Sequence, residues 1–555
     1  MLLAEFFAPM QSDRTGAMLA YSKMGNLCGV DVPPKWSGST KPDWSPSGSG
    51  SAQEFARFLD PIRSSSHSFR QRCRKVVLDT PLSGIVDDDG AWRAFVLAAE
   101  TQFLVACKEW QCDYDSLRAA WVDIQKDPPS TALAGERAKA NSIRYQLGAI
   151  SDISVIEWFS DAGFLPRYGF PIHLQRLSVR KPSTDKGDRS TTTEKYRLER
   201  ASLLALSEYV PGAQVLVGGK IAESKGILKH WTEANRDEAL GLNNWALRCT
   251  NEHDYLATSP DERCKECDEP PQGPGQALMF PRFGYTTAAW DPPKPPGRNL
   301  ERVGEVILST AGGFTLSGAT KKDADFGGIP GLVATYYEAG QGQLLLRNAG
   351  GDAWSKQGNG FAVCTPCGFA MSEERPNNVN GTAPALPKKF KDHASVFSAN
   401  PLTRCWPNSL RYEPVLRHKV LAAKETTDVL ILDWPTGCEE AAVFSLGRAL
   451  VLAGTRLLEL DSRELNLELK IRVDGELGML FYDTVPGGAG HCFELMNLGR
   501  PWLEAARQIL RGSSSHDAAC RRACLECLLD FGGQFHAHLL DRRGALDLLD
   551  AVLRD

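Results

Sequence analysis

Residues 91–125, AWRAFVLAAETQFLVACKEWQCDYDSLRAAWVDIQ, place apolar side chains at helical spacing and predict one long or two shorter helices. A second helical run is expected around 135–160, ending at FSDAGFLPRYGFP. From about 170 the texture changes. HLQRLSVRK and AQVLVGG read as strands, with a charged helix, YRLERASLLALSEYV, between them. TTDVLILDW (426–434) has the continuous apolar run of a core strand. The last section alternates: helix 439–454, strands near 457–460, 466–472 and 478–483, then helices at about 491–512 and 520–552. The longest apolar stretch, AAVFSLGRALVLAG (441–454), carries Arg448 and is too short to span a bilayer, so it predicts a buried helix.

Punctuation divides the chain. Residues 1–90 read as irregular, and PPKWSGSTKPDWSPSGSGS (33–51) as loop or linker. Proline and glycine clusters at 269–275 and 291–297 set a cysteine-bearing segment apart from a β-rich region. With 555 residues, several domains are expected. The boundaries fall as an irregular and helical region 1–130, a helical and β connecting region 131–240, a zinc-knuckle segment 241–300, a β-rich domain with a second knuckle 301–435, and a zinc-binding domain 436–555. The fold class expected is α+β multidomain: a helical N-terminal part, a β-rich zinc-ribbon-like middle, and an α/β zinc-binding C-terminal domain. The net charge of −5 exerts no general pull on nucleic acid or membrane, so any basic surface is local. The opening MLLAEFFAPMQSDR lacks the basic start and apolar run of a secretory signal, which points to a cytoplasmic protein with no membrane partner.

Fifteen cysteines, an odd number, fit a disulfide framework poorly in a chain this long. Their spacing is that of metal ligands. In CTNEHDYLATSPDERCKEC, Cys249 and His253 pair with Cys264 and Cys267 as two short knuckles joined by a loop, the pattern that supplies four tetrahedral donors to zinc. FAVCTPCGFA carries Cys364 and Cys367 with Gly368 free to turn the backbone, and His393 and Cys405 are the candidate partners. CRRACLEC brings Cys520, Cys524 and Cys527 close, one donor short. Cys492 is the candidate fourth ligand, with His516 and His536 as alternatives. Closed four-donor sites are structural, and each couples roughly 10 kcal/mol of metal binding to folding. Two to three structural zinc ions are expected.

FYDTVPGGAGHC (481–492) raises a different chemistry. Gly487, Gly488 and Gly490, flanked by Asp483 and His491, either cradle a phosphate or only turn a strand into a helix. A P-loop needs G-x-x-x-x-G-K-[ST], and neither that pattern nor G-x-G-x-x-G occurs here. No G-x-S-x-G elbow or H-E-x-x-H pair is present either, so no catalytic residue is assigned. Arg167, Arg176, Arg180 and Lys181 surround Tyr168 and Phe170, cations for phosphates beside aromatics for base stacking, and form a candidate single-strand contact. An ordinary solvated face has the same composition.

LFYDTVPGGAGH, the C-x3-C-x2-CL run and FGGQFHAHLLDR together resemble the MrfA-like zinc-binding domain, which closes many DEAD/DEAH-box helicases and the B component of the DISARM phage-defence system. FLPRYGFP (164–171), EYVPGAQVLVGGK (208–220), the knuckle from Cys249, the C-x2-CG at Cys364 and TTDVLIL (426–432) agree in order, so the resemblance covers about 130–555. Relatives of this kind carry a C-x-C before the final cysteine pair, and Ala518 stands where its first cysteine would be. The motor lobes of helicase members have no counterpart in this sequence. The resemblance therefore implies a non-catalytic accessory subunit, or the C-terminal part of a superfamily-two helicase, working with a DEAD/DEAH-box partner on DNA in phage defence or DNA repair. A fragment of an ATP-dependent helicase and a scaffold without nucleic-acid contact are the competing readings.

Overall fold

The computed structural model describes residues 23–553 apart from short stretches, the longest being 45–58, 127–132, 165–173, 183–191, 313–318, 375–385 and 407–413. The helical part comprises α1 (Ser68–Val76), α2 (Ser83–Asp87), α3 (Asp89–Lys126), α4 (Leu133–Ser151) and α5 (Val155–Asp161). One long helix, rather than two, occupies 89–126. Trp92, Val96, Ala99, Phe103, Ala106, Trp110, Tyr114, Leu117, Trp121 and Ile124 are all buried on it, a continuous run of three- and four-residue steps with no proline to interrupt it. The expected run 135–160 divides at Ser154, whose Oγ accepts from the Glu157 amide and caps α5. Indole donors tie the bundle: Trp110 Nε1 donates to Ile150 O at 3.1 Å and Trp158 Nε1 to Ala106 O at 2.9 Å.

Among the described residues, three larger sheets and one two-stranded sheet follow. Their strands are β1 (Leu174–Pro182), β2 (Thr192–Ala201), β3 (Gln214–Val217), β4 (Lys220–Glu223), β5 (Gly226–Ile227), β6 (Trp245–Arg248) and β7 (Asp254–Ala257). Next come β8 (Gln276–Met279), β9 (Tyr285–Thr286), β10 (Val306–Gly312), β11 (Lys321–Asp323), β12 (Val333–Tyr337), β13 (Gln343–Asn348) and β14 (Gly351–Asp352). The last are β15 (Lys356–Cys364), β16 (Ala370–Glu374), β17 (Val415–Glu425), β18 (Val429–Asp433), β19 (Leu465–Ile471) and β20 (Leu477–Asp483). The first sheet has the order β2-β1-β9-β5, and β3 and β4 form a separate hairpin. The second runs β10-β13-β17-β8-β6-β7, with β15 joining β17 to β14 and β16. The third runs β11-β12-β18-β20-β19. Further helices are α6 (Ser202–Glu208), α7 (Lys388–Lys391), α8 (Glu440–Leu457), α9 (His491–Leu498), α10 (Arg500–Arg511), α11 (Ser514–Ala519) and α12 (Arg542–Leu553).

The sheets cross the segment boundaries drawn from punctuation. The parallel pair β8–β17, with Leu278 beside Val420, hydrogen-bonds residues before 300 to residues after 414. The third sheet likewise joins β12 and β18 to β20 and β19 across 435/436. That sheet is covered on both sides. Leu430, Leu432, Met479 and Phe481 face the helices α8, α10 and α12, while Val429, Ile431, Leu480 and Tyr482 join the core of the other strands. A strand buried on both faces reads as a continuous apolar run, which explains VLILD.

Four expected elements differ. The helix expected over 196–210 is a strand to Ala201, because Tyr196 and Leu198 alternate inward opposite β1, and only Ser202–Glu208 coils. No strand occupies 457–460, since α8 continues to Leu457 and ends in a turn. The helix expected over 491–512 breaks at Gly499 (φ 57°, ψ −128°) into α9 and α10. Among the described residues of 520–552, α-helix occurs only from Arg542 onward, because three cysteines converge where the helix was expected to start. Among the described residues no helix is long and apolar enough to cross a membrane.

Candidate metal centres

Among the described residues three groups of cysteine and histidine converge, each with its four donor atoms within 4.8 Å of one another: Cys249, His253, Cys264, Cys267; Cys364, Cys367, His393, Cys405; and His516, Cys520, Cys524, Cys527. Tetrahedral zinc with metal–sulfur bonds of about 2.3 Å holds sulfurs roughly 3.8 Å apart. The S···S separations here are 3.5–3.9 Å, far beyond a disulfide bond, and the N···S separations are 3.2–3.7 Å. Three soft thiolates and one imidazole in that arrangement fit zinc.

The first centre is built on the β6–β7 turn. Glu252 takes a left-handed conformation (φ 62°) and donates its amide to Cys249 O, so Cys249 and His253 face the same point. His253 Nδ1 lies 3.3 Å from Cys267 Sγ and 3.7 Å from Cys264 Sγ. Burial would raise the Cys267 thiol, but the Glu269 amide, His253 and the neighbouring sulfurs bring it down to about 7, toward the thiolate a metal binds.

The second centre lies where β15, β5 and α7 meet. Gly368 has φ 80°, and a Cβ there would stand 2.2 Å from Ile227 O, so only glycine permits the knuckle to press against β5. His393 donates from Nδ1 to Phe390 O at 2.6 Å, which leaves Nε2 as the metal-facing nitrogen, 3.4 Å from Cys367 Sγ. The ring stacks on Phe369 at 4.4 Å and meets Trp406 edge-on at 4.8 Å. Behind it, buried Lys229 and Trp231 both donate to Thr365 O, at 2.8 and 3.0 Å. Nothing in GILKHWTE marks Lys229 for this task.

The third centre corrects the sequence reading: His516, not Cys492, is the fourth donor. Ser513 caps α11 through the His516 amide, and His516 and Cys520, four residues apart, share one helical face. His516 Nε2 lies 3.2 Å from Cys524 Sγ. Cys492 instead opens α9, fully buried in the core, with its Sγ donating to Phe481 O at 3.5 Å. H-x3-C-x3-C-x2-C was visible in the sequence and carried the signal. His536 lies in a short 3-10 turn, and its side chain is outside the described residues. Arg542, with no exposed surface, donates to Leu510 O, Cys520 O and Asp517 Oδ1, bolting the end of α10 to the knuckle.

The glycine turn has its amides occupied. Asp483 accepts from the amides of Ala489, His491 and Cys492 at 2.8–3.1 Å and so caps α9. Asp428 accepts from the Gly490 amide at 2.9 Å and from Tyr336 OH at 3.0 Å. Gly487, Gly488 and Gly490 have φ between 77° and 85°, and a Cβ on Gly488 would collide with the Asp428 carboxylate. Two carboxylates stand where a phosphate would have to bind, so the turn packs strand against helix.

The candidate DNA contacts divide. Arg167, Tyr168 and Phe170 lie outside the described residues. Arg180 is a correction. Only 5% of it is exposed, it donates to Thr286 Oγ1 and Ser142 Oγ, and its guanidinium covers Phe397 at 4.7 Å, so it meets no solvent phosphate. Arg176 is half-buried and faces Glu199 at 3.9 Å, and Lys181 is partly exposed at the end of β1.

The architecture is that of an α+β protein pinned by Cys3His corners. Residues 446–528 match the family model of the MrfA Zn-binding domain, which takes in the third centre and leaves the first two outside it. The chain is similar to MrfA-like, helicase-associated proteins. Among curated proteins it is 23% identical over 422 residues to the Druantia protein DruE of Escherichia coli (strain UMEA 4076-1), covering 72% of this chain. It spans only 22% of that relative's length. Two solved structures are similar over 76% of this chain. DUF1998 helicase MrfA bound to DNA gives 11% identity, a TM-score of 0.31 and coverage of 43% of its chain. The same helicase bound to DNA and AMPPNP gives 10%, 0.26 and 41%.

Proposed function

We propose that this chain is a zinc-stapled, non-catalytic component of a superfamily-two helicase system acting on DNA in phage defence (DISARM-like) or DNA repair in the cytoplasm. It would serve either beside a separate DEAD/DEAH-box helicase or as the C-terminal portion of one. The observation that carries this reading is the MrfA Zn-binding domain match at 446–528, lying over a Cys3His centre and a glycine turn whose amides are already taken by Asp483 and Asp428. Three zinc ions per chain are part of the proposal, the second joining β15 to the His393 and Cys405 segments and the first and third closing local knuckles, none of them activating water, since every corner of a closed Cys3His set is filled by protein.

Co-purification with a candidate helicase and measurement of DNA-stimulated ATP hydrolysis test it. The expected result is co-elution and stimulation by a chain that hydrolyses no ATP alone. No co-elution, together with no DNA retention that weakens as salt rises, would leave the scaffold reading standing. The second reading, a piece of an ATP-dependent helicase, is favoured by the chain's 22% share of DruE. Motor motifs encoded in frame upstream would establish it.

A further inference from the structure

Residues 388–405 run from α7 to the last donor of the second metal centre. This stretch holds four cations, Lys388, Lys389, Lys391 and Arg404, against one carboxylate, Asp392, in a protein whose net charge is −5. All four cations are exposed. Their placement follows from one anchor. In KKFK only Phe390 is buried, at 0% exposure in the small core around the centre, so the lysines on either side of it turn to solvent. Asp392 is engaged with Arg404, and Lys388 and Lys389 form no ion pair among the described residues.

The metal ligands hold the stretch in shape at both ends. His393 donates to Phe390 O, which ties α7 to the imidazole. The Cys405 amide donates to His393 O at 3.0 Å, and Ala394 and Arg404 form an antiparallel bridge. Between these ends is a built turn, in which the Asn400 amide donates to Ser398 Oγ at 3.1 Å and the Leu402 amide to Asn400 Oδ1 at 2.9 Å. The turn carries Leu402, 87% exposed, more than any other large hydrophobic side chain among the described residues. An apolar side chain left in water gains burial energy only when something covers it. In a single nucleic-acid strand every phosphate has a base one sugar away. Cations for phosphates beside one protruding apolar side chain, which packs on a base, match that layout at any register.

We propose that residues 388–404 are a contact for single-stranded DNA, with Lys388, Lys389, Lys391 and Arg404 on backbone phosphates and Leu402 against a base. The proposal rests on the function proposed above and deepens it, moving the DNA contact from β1, where Arg180 is buried, to the rim of the second metal centre.

Fluorescence anisotropy of the full chain with a labelled single-stranded oligonucleotide, repeated over a range of salt, tests it. The unmodified protein is expected to bind with an affinity that falls as salt rises. K388Q/K389Q/K391Q is expected to weaken binding about tenfold at low salt and, with its phosphate contacts gone, to flatten the logarithmic salt slope by about two. R72Q/R74Q/K75Q, an equal change of charge at exposed positions of α1, is expected to weaken it by less than about twofold. L402S is expected to cost about threefold and to leave the salt slope unchanged. Equal losses in the two triple variants, or no loss in K388Q/K389Q/K391Q, would overturn this contact while DNA binding itself stands. An unmodified chain that retains no oligonucleotide would remove the underlying reading as well. Poly-glutamate competing as well as DNA at equal charge would overturn the proposal in favour of an acidic polypeptide. Hydrogen exchange on the unmodified protein gives a reading free of mutation: oligonucleotide-induced protection over 388–405 supports the contact, and protection only elsewhere refutes it.

Discussion

The second and third metal centres share one donor set, three thiolates and an imidazole, yet they stand in different surroundings. Around the second, Phe369, Phe390 and Trp406 enclose the imidazole, and Lys229 and Trp231 reach across from another segment to hold Thr365. Around the third, Arg521, Arg522, Leu525 and Glu526 are exposed, Leu525 by 81%, and the knuckle is a thin cover fastened from below by Arg542. The lesson is that ligand identity says little about what a centre supports. A metal embedded between sheets holds the global fold, whereas one at the rim holds a loop to a helix.

The largest expected effect is at the embedded centre. Cys367→Ala removes a donor whose partners come from β15, the segment just after α7 and residues 404–406, and uncouples binding energy on the order of 10 kcal/mol from folding. Loss of soluble, cooperatively melting protein is expected. A well-folded variant with two zinc equivalents would erase the distinction between the centres.

Arg542→Met comes next. Leaving Leu510 O and Cys520 O without their buried donor is expected to cost about 2 kcal/mol, the range for buried acceptors left unsatisfied, while the exposed Asp517 carboxylate returns to water. The check is a lowered melting transition with proteolysis beginning near 512–541 while the β core stays protected. Cys524→Ala is expected to lose one zinc equivalent and to open the same region, with the remaining sheets intact by circular dichroism.

Chelation sharpens the comparison without any substitution. A chromophoric chelator is expected to withdraw two equivalents quickly, from the first and third centres, and one slowly. A single kinetic phase would show that the surroundings do not matter. The smallest effect belongs to Cys492→Ser, expected to keep all three equivalents and to cost about 1 kcal/mol for a hydroxyl in an apolar site. Loss of an equivalent would return Cys492 to the third centre.

Much of this was legible from local spacing. Two-residue gaps between cysteines force adjacent sulfurs onto one side of a turn, so Cys249, His253, Cys264 and Cys267 could be grouped unaided, as could Cys364 and Cys367 with His393 and Cys405. Helix over 91–125, in one piece or two, and a core strand within 426–434 were equally plain, because a buried stripe or a doubly buried strand leaves its period in the sequence. The third centre was read less well. Cys492 stands beside a conspicuous glycine turn, and that prominence outweighed the quieter four-residue step from His516 to Cys520.

By itself, then, the sequence determined the donor chemistry and the periodic elements, since both depend on residues near one another along the chain. Only the tertiary structure decided that Arg180 points into the protein, that Asp428 reaches the glycine turn, and that Lys229 and Arg542 brace two of the knuckles. Each of these joins residues tens to hundreds of positions apart, and no local preference encodes which distant carbonyl or carboxylate a buried donor will meet. That choice is made when the sheets and helices close on one another and every buried polar group must find a partner.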